Sequence, residues 1–158
     1  MDINIIWHQP IELRDGLKDN LIYSAGDLTK LRDIPGIYMF CRLYDNVLYP
    51  LYIGKALNLS TRIQQQLDRT SLMVSIKKSH TGRKVLVLGE FKGRPGQIPE
   101  TCIRLVEKAL INHALAEGNK IINKQGTRTP YNAITFKGYF LAKSFTGKQM
   151  FVKKAMSK

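Results

Sequence analysis

The sequence predicts an α/β (α+β) domain: a small, mainly antiparallel, three-stranded central sheet flanked by helices, with a short N-terminal and a basic C-terminal extension. Three observations predict it. Residues 36–43 and 48–53 read as the two arms of a β-hairpin, and Val85–Phe91 as a third, largely buried strand. The hairpin and the third strand are each followed by a helical pattern. The 158 residues, 44% apolar and 23% charged, suffice for one core and one domain.

Residues 1–33 are expected as an extension packed on the core, with Ile3, Ile5 and Trp7 alternating as a short strand and a helical turn at Asp27–Leu31 ahead of Pro35. The core domain is set at residues 34–126. Within it, Ile37, Met39, Cys41 and Leu43 share one strand face, Tyr38, Phe40 and Arg42 the other, and Asp45-Asn46 supplies the turn. In the return strand Leu51 and Ile53 are assigned to one face and Tyr52 to the opposite one, so that Tyr38 and Tyr52 emerge together. Pro50 cannot donate to a ladder, so that strand either kinks there or carries the position at a sheet edge. Asn58 is an N-cap for a helix to about Asp68, with Leu59, Ile63 and Leu67 on its inner face. Ser79–Lys84 is a basic loop and residues 92–99, rich in Gly and Pro, another. The longest helix is placed at Thr101–Glu117, capped by Thr101 and stopped by Gly118. Residues 127–158 form the basic extension, read as short β segments at Ala133–Phe136, Tyr139–Ala142 and Gln149–Val152.

The net charge of +13 is unevenly spread: residues 118–158 hold nine Lys or Arg and no acid. Such a field attracts polyanions, and the β-like tail lacks the apolar helical stripe of a lipid-binding segment. A nucleic acid, most readily DNA, is therefore the expected partner, and a membrane is not. Candidate phosphate contacts are Lys77, Lys78, His80, Arg83 and Lys84 around the basic loop, and Arg128, Lys137, Lys143, Lys148, Lys153 and Lys154 in the tail. No apolar run reaches the roughly 18–20 residues of a membrane span, and Met1–Pro10 has no signal-peptide character, so a cytoplasmic location is expected. Cys41 and Cys102 lack zinc-site spacing and read as small buried apolar residues.

Four features invite a chemical reading beside a structural one. Tyr38 and Tyr52 share a sheet face, where tyrosine is also an ordinary strand residue. Arg62 flanks the helix stripe; such a residue commonly reaches to solvent, yet here it also aims with Lys55 at the hairpin end, where either can hold a phosphate. Glu107 sits among Ile103, Leu110, Ile111 and Ala114, inside an apolar stripe. A buried carboxylate is paired, protonated or bound to a cation, with Arg104 as the simple partner and Mg²⁺ as a cation that accepts one oxygen ligand and several waters. Asn123, just past the long helix, either caps a turn or serves the site.

In order along the chain, Gly36-Ile37-Tyr38, Tyr52-Ile53-Gly54-Lys55-Ala56, Asn58-Leu59 with Arg62, Glu107 within Leu105–Ile111, and Lys120–Asn123 resemble the motif set of the GIY-YIG nuclease superfamily, over about residues 34–124. The resemblance implies a DNA endonuclease that hydrolyses phosphodiesters with one Mg²⁺ or Mn²⁺ and leaves 5′-phosphate and 3′-hydroxyl ends. It implies Tyr52 as first candidate to activate water with Tyr38 as its partner, Lys55 assisting, Arg62 stabilising phosphate charge, Glu107 holding the metal and Asn123 tying the site together. The rival expectation is a non-catalytic nucleic-acid-binding module of the same fold, or a structure-specific or RNA-directed nuclease. Fourteen residues separate Tyr38 from Tyr52, more than the family commonly shows, so the hairpin must extend or bulge.

Overall fold

The computed structural model describes residues 1–123, 131–147 and 149–153. The hairpin is its centre. β5 (Gly36–Tyr44) and β6 (Val47–Ala56) pair antiparallel across a turn in which Asp45 and Asn46 both take positive φ, 49° and 57°. This pairing of left-handed residues matches the twist of the strands it joins. β7 (Arg83–Lys92) pairs antiparallel with the other edge of β5, completing the expected three strands. Gly36 lets β7 approach there, because a Cβ at this position would collide with the Gly89 carbonyl.

The sheet continues past those three strands. β1 (Asp2–Trp7) pairs antiparallel with β7 and parallel with β8 (Tyr131–Gly138), and β9 (Gln149–Lys153) closes the order β6-β5-β7-β1-β8-β9. The short β2 (Ile11–Glu12) adds to β7, and β3 (Arg14–Asp15) pairs with β4 (Tyr23–Ser24). The fold is thus α+β, as expected, but on a larger and mixed sheet. The first residues do not merely pack on the core: Ile3, Ile5 and Trp7 are buried in an interior strand.

Both faces of the sheet are covered. One is packed by α3 (Pro99–Ala116) and α4 (Phe140–Thr146), whose Val106, Leu110, Ile111 and Ala142 meet Ile37, Met39, Ile53, Val87 and Phe136. The other is packed by α1 (Leu59–Leu67) and α2 (Thr70–Lys78), with Leu59, Ile63, Met73 and Ile76 against Tyr38, Phe40, Leu86 and Leu88. This double burial explains why residues 36–41 are all buried instead of alternating. α1 starts as expected at Asn58, whose Oδ1 accepts the Thr61 N–H at 3.2 Å while its Nδ2 donates to Asp33 at 3.1 Å.

Three expectations are corrected. α3 begins at Pro99, which sits at the helix start where its missing N–H is harmless, so Thr101 lies inside the helix and is not its cap. Residues 140–146 form a helix, because Leu141, Ala142 and Phe145 fall on one helical face and Gly147, φ 72°, ends it. Leu51 packs with Tyr38 and Phe40 and not with Ile53. The cause is a β-bulge: Phe40 pairs Tyr52 and Cys41 pairs Pro50, leaving Leu51 unopposed and turned to the same side as Tyr52. Pro50 sits beside this bulge on the outermost strand, so both structural options for it are realised. Among the described residues no helix is long and apolar enough to cross a membrane.

Candidate active site

A cleft of about 860 Å³ opens over the β6 edge of the sheet, and Tyr38, Tyr52, Lys55, Arg62, Glu107 and Asn123 all line it. They come from β5, β6, α1, α3 and the segment after α3. Arg69, Arg104, Lys108 and Ile122 complete the wall.

Cross-strand register places the tyrosines. Tyr38 is opposite Gly54 and Phe40 opposite Tyr52, so the two phenols are diagonal neighbours, with ring centres 6.2 Å apart and planes inclined by 21°. The Tyr38 ring lies against Gly54, where any Cβ would collide with its ring and hydroxyl. Glycine is therefore a steric requirement of the tyrosine. Tyr38 is only 1% exposed, whereas Tyr52 is partly open to the cleft. The Tyr38 hydroxyl accepts a 2.7 Å hydrogen bond from Gln66 Nε2, and Gln66 Oε1 in turn accepts one of 2.8 Å from Arg69. Burial, then the neighbouring Tyr52, push the Tyr38 phenol up to about 12, against the pull of the Gln66 hydrogen bond and Arg62.

Glu107 faces this pair from α3. Burial raises its carboxyl above the ordinary carboxylate range, while Lys55, Arg62 and Lys108 oppose the rise. Arg104, its simple partner by spacing, forms no ion pair with it among the described residues and lines the cleft instead. Lys55, Arg62 and Lys108 act on the carboxylate through their charge. Among the described residues no three His, Cys, Asp or Glu side chains gather as a metal site. A single carboxylate in a roomy, polar cleft fits a hard divalent ion that keeps most of its waters and takes substrate phosphate oxygens; it does not fit a structural zinc or a calcium cage.

Asn123 does not cap a turn. Its Oδ1 accepts the Ile53 N–H at 3.1 Å and its Nδ2 donates to the Ile53 carbonyl, while Ile122 N–H donates to the Leu51 carbonyl at 2.7 Å. Residues 122–123 thus satisfy the open edge of β6 on either side of Tyr52.

The expected phosphate contacts divide. Lys77, Lys78, His80, Arg83 and Lys137 are exposed, and Lys143 is partly buried. Lys84 is corrected: it stands in β7, is 8% exposed, and its ammonium donates to the carbonyls of His80 at 2.8 Å and Gly82 at 3.4 Å, so it closes the loop before the strand. Lys153 ends β9, and Arg128, Lys148 and Lys154 lie outside the described residues. The sequence reading missed Gln66, although it is a polar residue inside the Leu59-Ile63-Leu67 stripe, the same signal that singled out Glu107. Arg69 and Lys108 carry no such signal, since basic residues on helix flanks are ordinary.

Comparison of the chain with protein-family models, with curated proteins and with solved structures found no match.

Proposed function

We propose that the cleft is the active site of a metal-dependent DNA endonuclease of the GIY-YIG type, hydrolysing phosphodiesters to 5′-phosphate and 3′-hydroxyl ends. One observation carries the reading: a half-buried carboxylate without an ion-pair partner among the described residues shares a cleft with two stacked tyrosines and with Lys55 and Arg62. Cations alone would bind a polyanion; the carboxylate among them would repel it unless a metal ion intervenes.

Water attacks phosphorus, the bond from phosphorus to the 3′ oxygen breaks, and that oxygen takes a proton from solvent. Tyr38, weakened as an acid by burial, holds its own proton at neutral pH. Its oxygen accepts from Gln66, so its O–H is free to orient the attacking water or Tyr52. Tyr52, partly exposed and sharing the cleft with Lys55, would receive the proton of the water as the phenolate, its own proton having first passed to solvent. Arg62 and Lys55 neutralise charge growing on the phosphate oxygens. Glu107 would hold Mg²⁺ or Mn²⁺, which when bound supplies positive charge to the leaving oxygen. Asn123 touches the β6 backbone rather than the substrate and acts by positioning Tyr52.

Nicking of supercoiled plasmid in Mg²⁺ or Mn²⁺ tests the proposal. Glu107→Gln is expected to lower the rate by more than about 100-fold while DNA is bound in chelator at least as tightly as by the wild type. Wild-type cleavage by that variant, or wild-type protein that binds DNA but never nicks it, would overturn the reading in favour of a binding module.

A further inference from the structure

We propose that a second cleft beside the first binds an unpaired nucleotide of the substrate strand, its base stacked on the Tyr49–Arg42 pair and its phosphate near Lys120. The inference rests on the reading of the larger cleft as a DNA-cleaving site. The recess measures about 290 Å³ and includes Arg42, Tyr49, His80, Asn119 and Lys120 in its wall, with Glu117 the acid among them.

Arg42 and Tyr49 are directly opposite in the hairpin, and the guanidinium carbon lies 4.3 Å from the Tyr49 ring centre and 5.7 Å from that of Tyr44. Arg42 Nη1 donates to the Thr81 carbonyl at 2.8 Å, which fixes the planar group in place. A held guanidinium against an aromatic ring is a platform for a nucleobase: every base has a π face, and the cation strengthens the stack.

Position ties this platform to the chemistry. Tyr49 and Tyr52 stand three residues apart on the same strand, on the order of 10 Å. The segment after α3 runs beside both clefts, giving Asn119 and Lys120 to one and Ile122 and Asn123 to the other. One strand can therefore occupy both. A duplex hides its base faces inside the stack, so a recess of this size selects a base already out of it, in a flap, a frayed end or a single strand.

The test uses the full chain carrying Glu107→Gln, in chelator, so that binding is read without cleavage. Fluorescence anisotropy compares an oligo-dT strand, a duplex with a single-stranded flap and a blunt duplex. Adding Tyr49→Leu should weaken the first two about tenfold and the blunt duplex less than twofold, and Tyr49→Phe should restore binding. Lys120→Gln, on an exposed side chain, should reduce the salt slope on oligo-dT by about 0.7, and decides the matter should the leucine variant not fold. Equal losses on flap and blunt duplex, or unchanged salt slope, would overturn the subsite. Failure of the wild-type protein to cleave any DNA in Mg²⁺ or Mn²⁺ would instead sink the hydrolase reading while leaving these binding differences intact.

Discussion

At Glu107 the proposed function and stability pull in opposite directions. Burial raises its carboxyl above the ordinary range, so through the window between the ordinary and the raised value the folded chain holds a proton that the unfolded chain has lost. Stability therefore falls as pH rises through that window, and the ionised side chain opposes folding at neutral pH. In metal-free buffer, Glu107→Gln should raise Tm by a few degrees at neutral pH and leave it unchanged near about pH 3, below the ordinary value, where both states are protonated. Millimolar Mg²⁺ should raise the Tm of the wild type and not of the variant. A variant less stable at neutral pH would mean that Lys55, Arg62 and Lys108 already hold the carboxylate as a structural ion cluster. At this scale the sequence was informative wherever a polar residue broke an apolar stripe, which is a local signal. Glu107 was legible for that reason, and Gln66 was equally legible but went unread. Arg69 and the structural duty of Lys84 were not, because a basic residue on a helix flank or loop looks alike whether it faces solvent, a cleft or a carbonyl.

At the scale of elements, the site depends on how the edge of β6 is finished. The bulge at Leu51 turns its carbonyl to Ile122, and Asn123 supplies a side-chain amide that pairs with Ile53 as a neighbouring strand would. Tyr52 is clamped between these two attachments. Asn123→Asp keeps the acceptor for the Ile53 N–H but loses the donor to the Ile53 carbonyl and sets two acceptors against each other. The expected result is a loss of about 1–3 kcal/mol in denaturant titration, faster exchange of the Ile53 amide, and a fall in kcat larger than any change in KM. Unaltered exchange at Ile53 would remove the clamp. The hairpin and α1 were legible because their determinants, alternation, the Asp45-Asn46 turn and the Asn58 cap, are local. The side of Leu51 was not, since a bulge is set by pairing with β5. Helix α4 was misread as β because a short apolar cluster fits both periods, and packing against the sheet decides between them.

The whole molecule distributes its charge differently from what the acid-free stretch after residue 117 suggests. β8, α4 and β9 contribute Ile134, Phe136, Leu141, Ala142 and Met150 to the main core, so this segment is not a detachable clamp. Removing it would strip the β1 edge and empty part of the core, and any loss of DNA binding would then report unfolding. Single substitutions are the informative probe, and Lys137 is the best placed. It is exposed, and its cross-strand row runs through Ile6, Glu90 and Gly36 to Ala56, next to Lys55 of the larger cleft. Four strand spacings separate β8 from β6, about 19 Å, or roughly six base pairs along a duplex. A duplex gripped at the cleft and lying across this end of the sheet reaches Lys137; a shorter one does not. Lys137→Gln should accordingly reduce the salt slope of binding by about 0.9 on a duplex of about 20 base pairs and leave it unchanged on a hairpin stem of about four. An equal change on both would make Lys137 part of a diffuse field, and no change on the longer duplex would send the bound DNA along another path, toward the recess at Tyr49 and Lys120.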